Sequence, residues 1–167
     1  HIGSFDSLLE NLGHFISFAR VGMDPGLPTI LIGGSLGGLI AINYVVEKRG
    51  HVDGLILASP AIEPRIKIPE WKKKIVRRLA RILPSITVDN ELSFDDMTSD
   101  GDEKEHLMKD KFFHKRLSFM GAVEIEDRLK YVMTMAHRIY VPTLMLVGSS
   151  DSICNPEGNR AFYERLA

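Results

Sequence analysis

A serine within a glycine-rich stretch is the first feature of the sequence whose residue types could carry chemistry. Residues 29–41 read TILIGGSLGGLIA, an apolar run followed by two glycines, Ser35 and further glycines that lead into a helical pattern. Two kinds of site use a turn of this composition, a phosphate cradle and an activated serine nucleophile. The spacing of the glycines distinguishes them.

The spacing argues against both common phosphate-binding motifs. A dinucleotide fingerprint needs G-x-G-x-x-G. Counting from Gly33 places Ser35 at the second required glycine, and counting from Gly34 places Leu36 there. A Walker loop needs Gly-Lys-Ser or Gly-Lys-Thr after the turn, and neither follows.

The same residues match G-x-S-x-G, directly after a predicted strand and directly before a predicted helix. This context predicts a nucleophile elbow with Ser35 on a sharp strand-to-helix turn. Gly33 and Gly37 would leave room for the turn, and the Leu36 amide would point toward a developing oxyanion. The plain alternative is a glycine-rich turn that contains an incidental serine, preceded by Gly34.

The elements around this turn alternate between buried strands and helices. This order is typical of the α/β class, with a parallel sheet covered on both faces. In chain order we predict a helix capped by Ser4, a strand at 29–32, a helix at 39–47 closed by Gly50, strands at 54–60 and 142–151, and a helix capped by Asn155.

The stretch between the second and third strands shows helical patterns and no strand-like run, which predicts a helical cap. The expected division is core at 1–63, cap at 64–138 and core at 139–167. Residues 70–83 form a basic amphipathic pattern, and the acidic stretch 89–105 has the composition of a mobile loop that would neutralise it. The basic helix suits peripheral contact with a membrane surface or, alternatively, a solvated outer face of the cap.

Composition narrows the class of protein. The chain is 44% hydrophobic and 26% charged, with a net charge of -1, as in an ordinary globular domain. The balanced charge argues against nucleic-acid binding, and the absence of Cys/His clusters with ligand spacing argues against a metal site. A single cysteine, Cys154, and the lack of a long apolar segment or leader lead us to expect a cytoplasmic protein.

With these motifs in view, the sequence resembles the α/β-hydrolase superfamily, in particular its monoacylglycerol lipase and lysophospholipase-like group, sometimes filed with serine aminopeptidases. The resemblance covers nearly the whole chain and is carried by residues 4–16 (SFDSLLENLGHFI), 27–45 (LPTILIGGSLGGLIAINYV), 52–64 (VDGLILASPAIEP), 109–119 (KDKFFHKRLSF) and 138–166 (RIYVPTLMLVGSSDSICNPEGNRAFYERL). The chain departs from that group at Gly34, where the group often has His, and at Asn155, where it often has Asp.

The resemblance implies a serine hydrolase that cleaves a lipid-like ester, a monoacylglycerol or lysophospholipid, without a cofactor. Ser35 would be the nucleophile and Asp151 the triad acid. Cys154, three residues later, would lie near the pocket or pack as a small buried side chain, and His114 would lie in a cap segment that can face the pocket.

The resemblance also implies an incomplete triad. The triad order in that family is Ser, Asp, His, but all six histidines precede Asp151. The family's histidine would follow Ala167, and its first strands and second oxyanion amide would precede His1, so a partial fold is expected. The alternative is a non-catalytic α/β-hydrolase-like module that binds a lipid or another small molecule.

Overall fold

The computed structural model describes residues 4–47, 49–90 and 92–166. The elements in chain order are α1 (Phe5–Ala19), β1 (Ile30–Gly34), α2 (Ser35–Val46), β2 (Gly54–Ala58), α3 (Glu70–Ile82), β3 (Thr87–Asp89), α4 (Phe94–Met97), α5 (Gly101–Lys109), β4 (Arg116–Ser118), α6 (Phe119–Met135), a 3-10 turn (Ala136–Arg138), β5 (Thr143–Leu146) and α7 (Pro156–Tyr163). Lys48 and Glu91, which the sequence analysis placed in a helix end and in the acidic stretch, lie outside the described residues.

The first helices begin where the sequence provides caps or a turn. The Ser4 side chain accepts a hydrogen bond from the Ser7 amide at 3.1 Å, as expected of an N-cap. Helix α2 begins immediately after β1, four residues earlier than the hydrophobic pattern predicts. It ends on Glu47, which has right-handed helical backbone angles, so the prediction of Gly50 as its C-cap was wrong.

Strands β1, β2 and β5 form a parallel sheet in the order β1-β2-β5, which confirms the α/β class. One face is buried by helices, with Leu31, Leu55 and Leu57 in the main core together with side chains of α1, α2 and α6. On the other face Ile32 is 73% exposed and Leu146 is 54% exposed. The described residues therefore cover the sheet on one face only, whereas the sequence predicted cover on both.

Helix α6 anchors the predicted cap to the core. The Arg128 guanidinium pairs with Glu47 and with Asp6 (2.9 Å), donates to the amide oxygen of buried Asn43 (3.3 Å) and stacks 4.9 Å from the Phe5 ring centre. One side chain thus links α1, α2 and α6. No helix in the described ranges combines the length and the apolar character that a membrane span requires.

The cap differs from its prediction in two respects. Strands β3 and β4 pair antiparallel, where no strand was expected. The acidic stretch contains the helices α4 and α5 instead of a loop, because Ser93 and Asp100 cap them. Each strand has three residues, too few for an alternating pattern to be visible in the sequence.

In the described part of the acidic stretch, Asp95 pairs with Lys104 and Glu105 pairs with Lys109, so these two carboxylates do not neutralise the basic helix α3. The described ion pairs that join α3 to another element run from Lys73 and Arg77 to Glu126 and Asp127 of α6.

Candidate active site

Ser35 lies on the junction between β1 and α2, where the sequence places it. Its φ is 47°, in the left-handed region that a residue with a side chain rarely adopts. Such a conformation costs on the order of 1–3 kcal/mol and persists only where its surroundings hold it. The Ser35 carbonyl accepts a hydrogen bond from the Ala61 amide at 2.9 Å, which ties the turn to the chain that leaves β2.

The glycines around Ser35 have different steric roles. A Cβ atom on Gly33 would lie 2.6 Å from the Gly37 carbonyl oxygen, so only glycine fits there. A Cβ atom on Gly37 would meet no described atom within 4 Å, so the prediction that crowding requires glycine at this position was wrong. On the helix side of Ser35 the crowded position is Gly38 instead, where a Cβ atom would lie 2.6 Å from the Pro60 Cβ. Gly34 has only an ordinary contact, 3.7 Å to the Ala58 oxygen.

Asp151 lies in the loop after β5, at the same edge of the sheet as Ser35. Its Oδ1 accepts hydrogen bonds from the amides of Ile153 (2.9 Å) and Cys154 (2.8 Å). Among the described residues no donor reaches its Oδ2. The carboxylate is therefore held by one oxygen, and the other oxygen is available to a further donor.

The segment that leaves β2 holds the acid loop in place. The Arg65 amide donates to the Ile153 carbonyl (2.9 Å), and the Asn155 amide donates to the Glu63 carbonyl (2.8 Å). The Asn155 side chain also donates to the Glu63 carboxylate (2.9 Å) and caps α7 by accepting from the Glu157 amide (3.2 Å). Asn155, at a position where the resembled group often has Asp, thus still caps α7.

Ser59 is a residue of this region that the sequence analysis did not single out. Strand β2 lies between β1 and β5, so the turn at its end separates Ser35 from Asp151. Ser59 occupies that turn with φ 40°, and its hydroxyl accepts from the Gly148 amide at 3.5 Å. The sequence signal that could have identified this turn is the position of Ser59 directly after a buried strand and before Pro60.

Cys154 brings the two predicted catalytic side chains into one cluster. It is 3% exposed. Burial raises the pKa of the Cys154 thiol to about 11, and the negative charge of Asp151 acts in the same direction, while a hydrogen bond with Ser35 opposes them. The thiol is therefore neutral at physiological pH and behaves as a small packed side chain beside Ser35.

We expect iodoacetamide to alkylate native Cys154 about 100-fold more slowly near neutral pH than it alkylates the urea-unfolded chain. The reason is that a pKa of about 11 in place of 9.0 lowers the thiolate fraction by that factor. The native rate should rise with pH toward 11, since only then does the thiolate form. Mass spectrometry after timed quenching measures both rates, and Cys154→Ser is the blank because the chain has one cysteine. Equal rates in the native and unfolded chains would contradict this environment for the thiol.

The described histidines do not complete a triad. His114 lies exposed in the loop between α5 and β4, where its Nδ1 accepts from the Arg116 amide at 3.4 Å. His51 contacts Asp53 at 2.9 Å, on the approach to β2. In the part of the chain that the structure describes, no histidine hydrogen-bonds to Ser35 or Asp151. His1 falls outside that part.

Comparisons with known proteins agree with this geometry. The family described as "Serine aminopeptidase, S33" matches residues 1–167. Phospholipase YtpA of Bacillus subtilis is 30% identical over 92% of this chain and 59% of its own length, and human monoglyceride lipase is 27% identical over 80% and 45%.

Solved structures agree as well. The crystal structure of Paleococcus ferrophilus monoacylglycerol lipase is 28% identical, with a TM-score of 0.85 over 98% of this chain and 61% of that one. A soluble variant of the Saccharomyces cerevisiae monoglyceride lipase, 21% identical with a TM-score of 0.79 over 99% and 58%, shares the fold.

The chain thus spans between 45% and 61% of the length of these four proteins. It contains a strand-turn-helix with Ser35 at the turn, a loop after β5 that holds Asp151, and a mainly helical insertion between them. The chain belongs to the serine aminopeptidase S33 family and has part of an α/β-hydrolase fold.

Proposed function

We propose that this chain supplies the nucleophile and the acid of a serine hydrolase that cleaves the carboxylic ester of a lipid-like substrate, a monoacylglycerol or a lysophospholipid. The observation that carries the proposal is the backbone of Ser35, a non-glycine residue at φ 47° between a strand and a helix. Ser59 also has a positive φ, so the distinguishing feature of Ser35 is that it joins a strand directly to a helix in a turn where only glycine fits at position 33.

In the proposed mechanism the Ser35 hydroxyl oxygen attacks the ester carbonyl carbon while an imidazole takes its proton. The free Oδ2 of Asp151 accepts the other N–H of that imidazole and stabilises its charged form. The tetrahedral oxyanion forms against the amide of Leu36, the second residue of α2, since the first amides of a helix have no intrahelical acceptor.

The imidazole then protonates the leaving alcohol, and the acyl group remains on Ser35. Water attacks the carbonyl carbon of this acyl-enzyme and gives a proton to the imidazole. The imidazole passes that proton to the Ser35 oxygen as its bond to the acyl carbon breaks, which releases the fatty acid and regenerates the serine. We infer that the histidine for these transfers would follow Ala167, as the triad order of the resembled family implies.

Support for a lipid ester as substrate comes from the names of the relatives, a phospholipase and monoglyceride lipases. The neutral, buried thiol of Cys154 makes the packing beside Ser35 apolar, which is compatible with a lipid ester.

A second candidate is a non-catalytic α/β-hydrolase-like module that binds a lipid or another small molecule at the same site. It is favoured by the environment of Ser35, which lies beside the neutral, buried Cys154 thiol, while no described histidine hydrogen-bonds to it. In that case Ser35 and Asp151 would be retained for the shape of the loop only.

Covalent labelling separates the two candidates. A polypeptide extended in both directions to the length of the relatives should react with a fluorophosphonate, with the adduct mass on the peptide that contains Ser35. It should also release fatty acid from mono-oleoylglycerol or from lysophosphatidylcholine. If the extended polypeptide binds these lipids but neither labels nor releases fatty acid, the non-catalytic module is the correct function.

A further inference from the structure

A cavity of about 570 Å³ lies between α1, the end of α2 and the segments that lead into β1 and β2. Thr29, Gly50 and His51 line it shortly before those strands begin, whereas Ser35 and Asp151 follow β1 and β5. Because the three strands are parallel, the cavity and the candidate active site lie at opposite edges of the sheet. Its volume is in the range of small-molecule sites, and the proposed hydrolysis does not use it.

The hydroxyl of Tyr44 faces this cavity from α2. Tyr44 is 2% exposed, and its hydroxyl has no hydrogen-bond partner among the described residues. Two lining glycines leave room for it, since a Cβ atom on Gly13 would lie 3.4 Å from the hydroxyl oxygen and one on Gly50 would overlap it. Burial raises the pKa of Tyr44, so the hydroxyl stays protonated at physiological pH and can donate and accept. A buried polar group without a partner is costly, and a ligand would satisfy it.

Glu10 supplies a negative charge beside this hydroxyl. It lines the cavity from α1 and is exposed, and in the part of the chain that the structure describes no cation lies within ion-pair distance of it. Positions 10 and 13 are neighbours on the helix surface, with Cβ atoms about 5–6 Å apart. Since the Tyr44 hydroxyl lies against Gly13, one small group can contact both the carboxylate and the hydroxyl.

The two arginines that line the cavity already have partners. Arg49 pairs with Glu47 at 2.7 Å and with Asp6 at 2.9 Å. Arg20 donates to the carbonyl oxygens of Pro25 and Leu27, at 3.0 and 3.1 Å, which fixes its guanidinium on the loop after α1. An incoming anion would therefore have to displace existing contacts.

The helix ends also favour a cation. Helix α1 ends at its C-cap, Arg20, and Tyr44 belongs to the last turn of α2, so the carboxyl-terminal ends of both helices meet at the cavity. The carboxyl end of a helix carries a partial negative charge. This charge and the Glu10 carboxylate act in the same direction.

We propose that this cavity binds an organic cation, a primary amine that carries an aryl or alkyl group. The ammonium group would donate to the Glu10 carboxylate and to the Tyr44 hydroxyl oxygen. The apolar group would lie against Leu9, Ile16 and the Tyr44 ring, which also line the cavity. An ammonium group has three donors and no acceptor, which suits a carboxylate and a hydroxyl at the carboxyl ends of helices. The proposal is independent of the proposed hydrolysis, because the cavity lies at the other edge of the sheet.

A pair of small probes tests the charge preference. They are 2-phenylethylamine and its anionic counterpart phenylacetate, used near neutral pH on the polypeptide extended to the length of the relatives. We expect the amine to bind with a Kd on the order of 1 mM, as for so small a ligand, and to shift the assigned amide resonances of Gly13 and Gly50 in an NMR titration. Phenylacetate should shift neither. The amide of Gly148, at the catalytic edge, is the internal control and should not move.

Three variants test the residues. Glu10→Gln should weaken binding of the amine about tenfold, because it removes the charge and keeps the shape. Tyr44→Phe should weaken it about fivefold and should not unfold at lower urea concentration, since the hydroxyl has no described partner to lose. Glu164→Gln removes an exposed carboxylate outside the cavity, at the end of α7, and should bind as the unaltered polypeptide does.

Four results would overturn the proposal. The first is no shift with the amine at any attainable concentration, and the second is equal binding of phenylacetate. The third is a set of shifts centred on Gly148 in place of Gly13 and Gly50, because the amine would then bind at the catalytic edge. The fourth is unchanged affinity in Glu10→Gln.

Discussion

Ser35→Ala is expected to lower kcat for ester hydrolysis on the order of 10⁴- to 10⁶-fold in the polypeptide extended to the length of the relatives. The substitution removes the oxygen that attacks the carbonyl carbon. Alanine has no nucleophilic group that could take its place. Binding of the lipid should change little, because the side chain loses one oxygen. Initial rates on a short-chain aryl ester and fluorophosphonate labelling measure the effect.

Ser59→Ala is the matched control for this result. Ser59 is also a serine with positive φ at the end of a neighbouring strand, but its hydroxyl accepts only a long hydrogen bond from Gly148, 3.5 Å. Loss of this contact should alter kcat by less than about tenfold, since such a bond contributes on the order of 1 kcal/mol. Retention of labelling and turnover in Ser35→Ala would contradict the assignment of the nucleophile.

The 167-residue chain itself should neither label nor hydrolyse the ester above background. Its described histidines do not contact Ser35, and a serine without a base is an ordinary alcohol. Robust labelling of this chain would mean that one of the upstream histidines supplies the base, and His114→Ala would be the first variant to test.

The elbow was predictable because its determinants are local. The residues that force the turn are adjacent in the chain, so the motif identifies the position of Ser35 before any contact is known. Asp151 was assigned through the family resemblance, and its location at the same edge as Ser35 follows because parallel strands bring their carboxyl ends to one edge of the sheet. What the motif did not show was that Gly38, packed on Pro60, is crowded while Gly37 is open.

The cap was less predictable because its arrangement depends on residues distant in sequence. The hydrophobic pattern of α3 indicates which residues share a side, but the side that faces the protein also carries Arg77, whose guanidinium donates to Asp127, 50 residues away. The same limit applies to the exposed face of the sheet, where apolar strands signal burial and the described residues provide no cover. Local pattern therefore predicted the core elements and their order, but not the short strands and helices of the cap or their tertiary partners.

Gly33→Ala should destabilise the chain by about 3 kcal/mol in urea unfolding, because the new Cβ would lie 2.6 Å from the Gly37 carbonyl oxygen. The new Cβ and the Gly37 carbonyl oxygen are both fixed to the backbone, so the clash can be relieved only if β1 or the first turn of α2 moves. That movement would also release the strained backbone of Ser35, and labelling of the extended polypeptide should be lost together with stability.

Gly37→Ala is the matched substitution in the same motif, and its expected result is the opposite. Its Cβ would meet no described atom within 4 Å, and position 37 lies within α2, where alanine is preferred over glycine by up to about 1 kcal/mol. Unfolding at equal or higher urea concentration than the unaltered chain is therefore expected. If Gly33→Ala instead unfolds at the same urea concentration as Gly37→Ala, the elbow is not held by the close approach of residues 33 and 37, and the steric basis proposed for the strained serine fails.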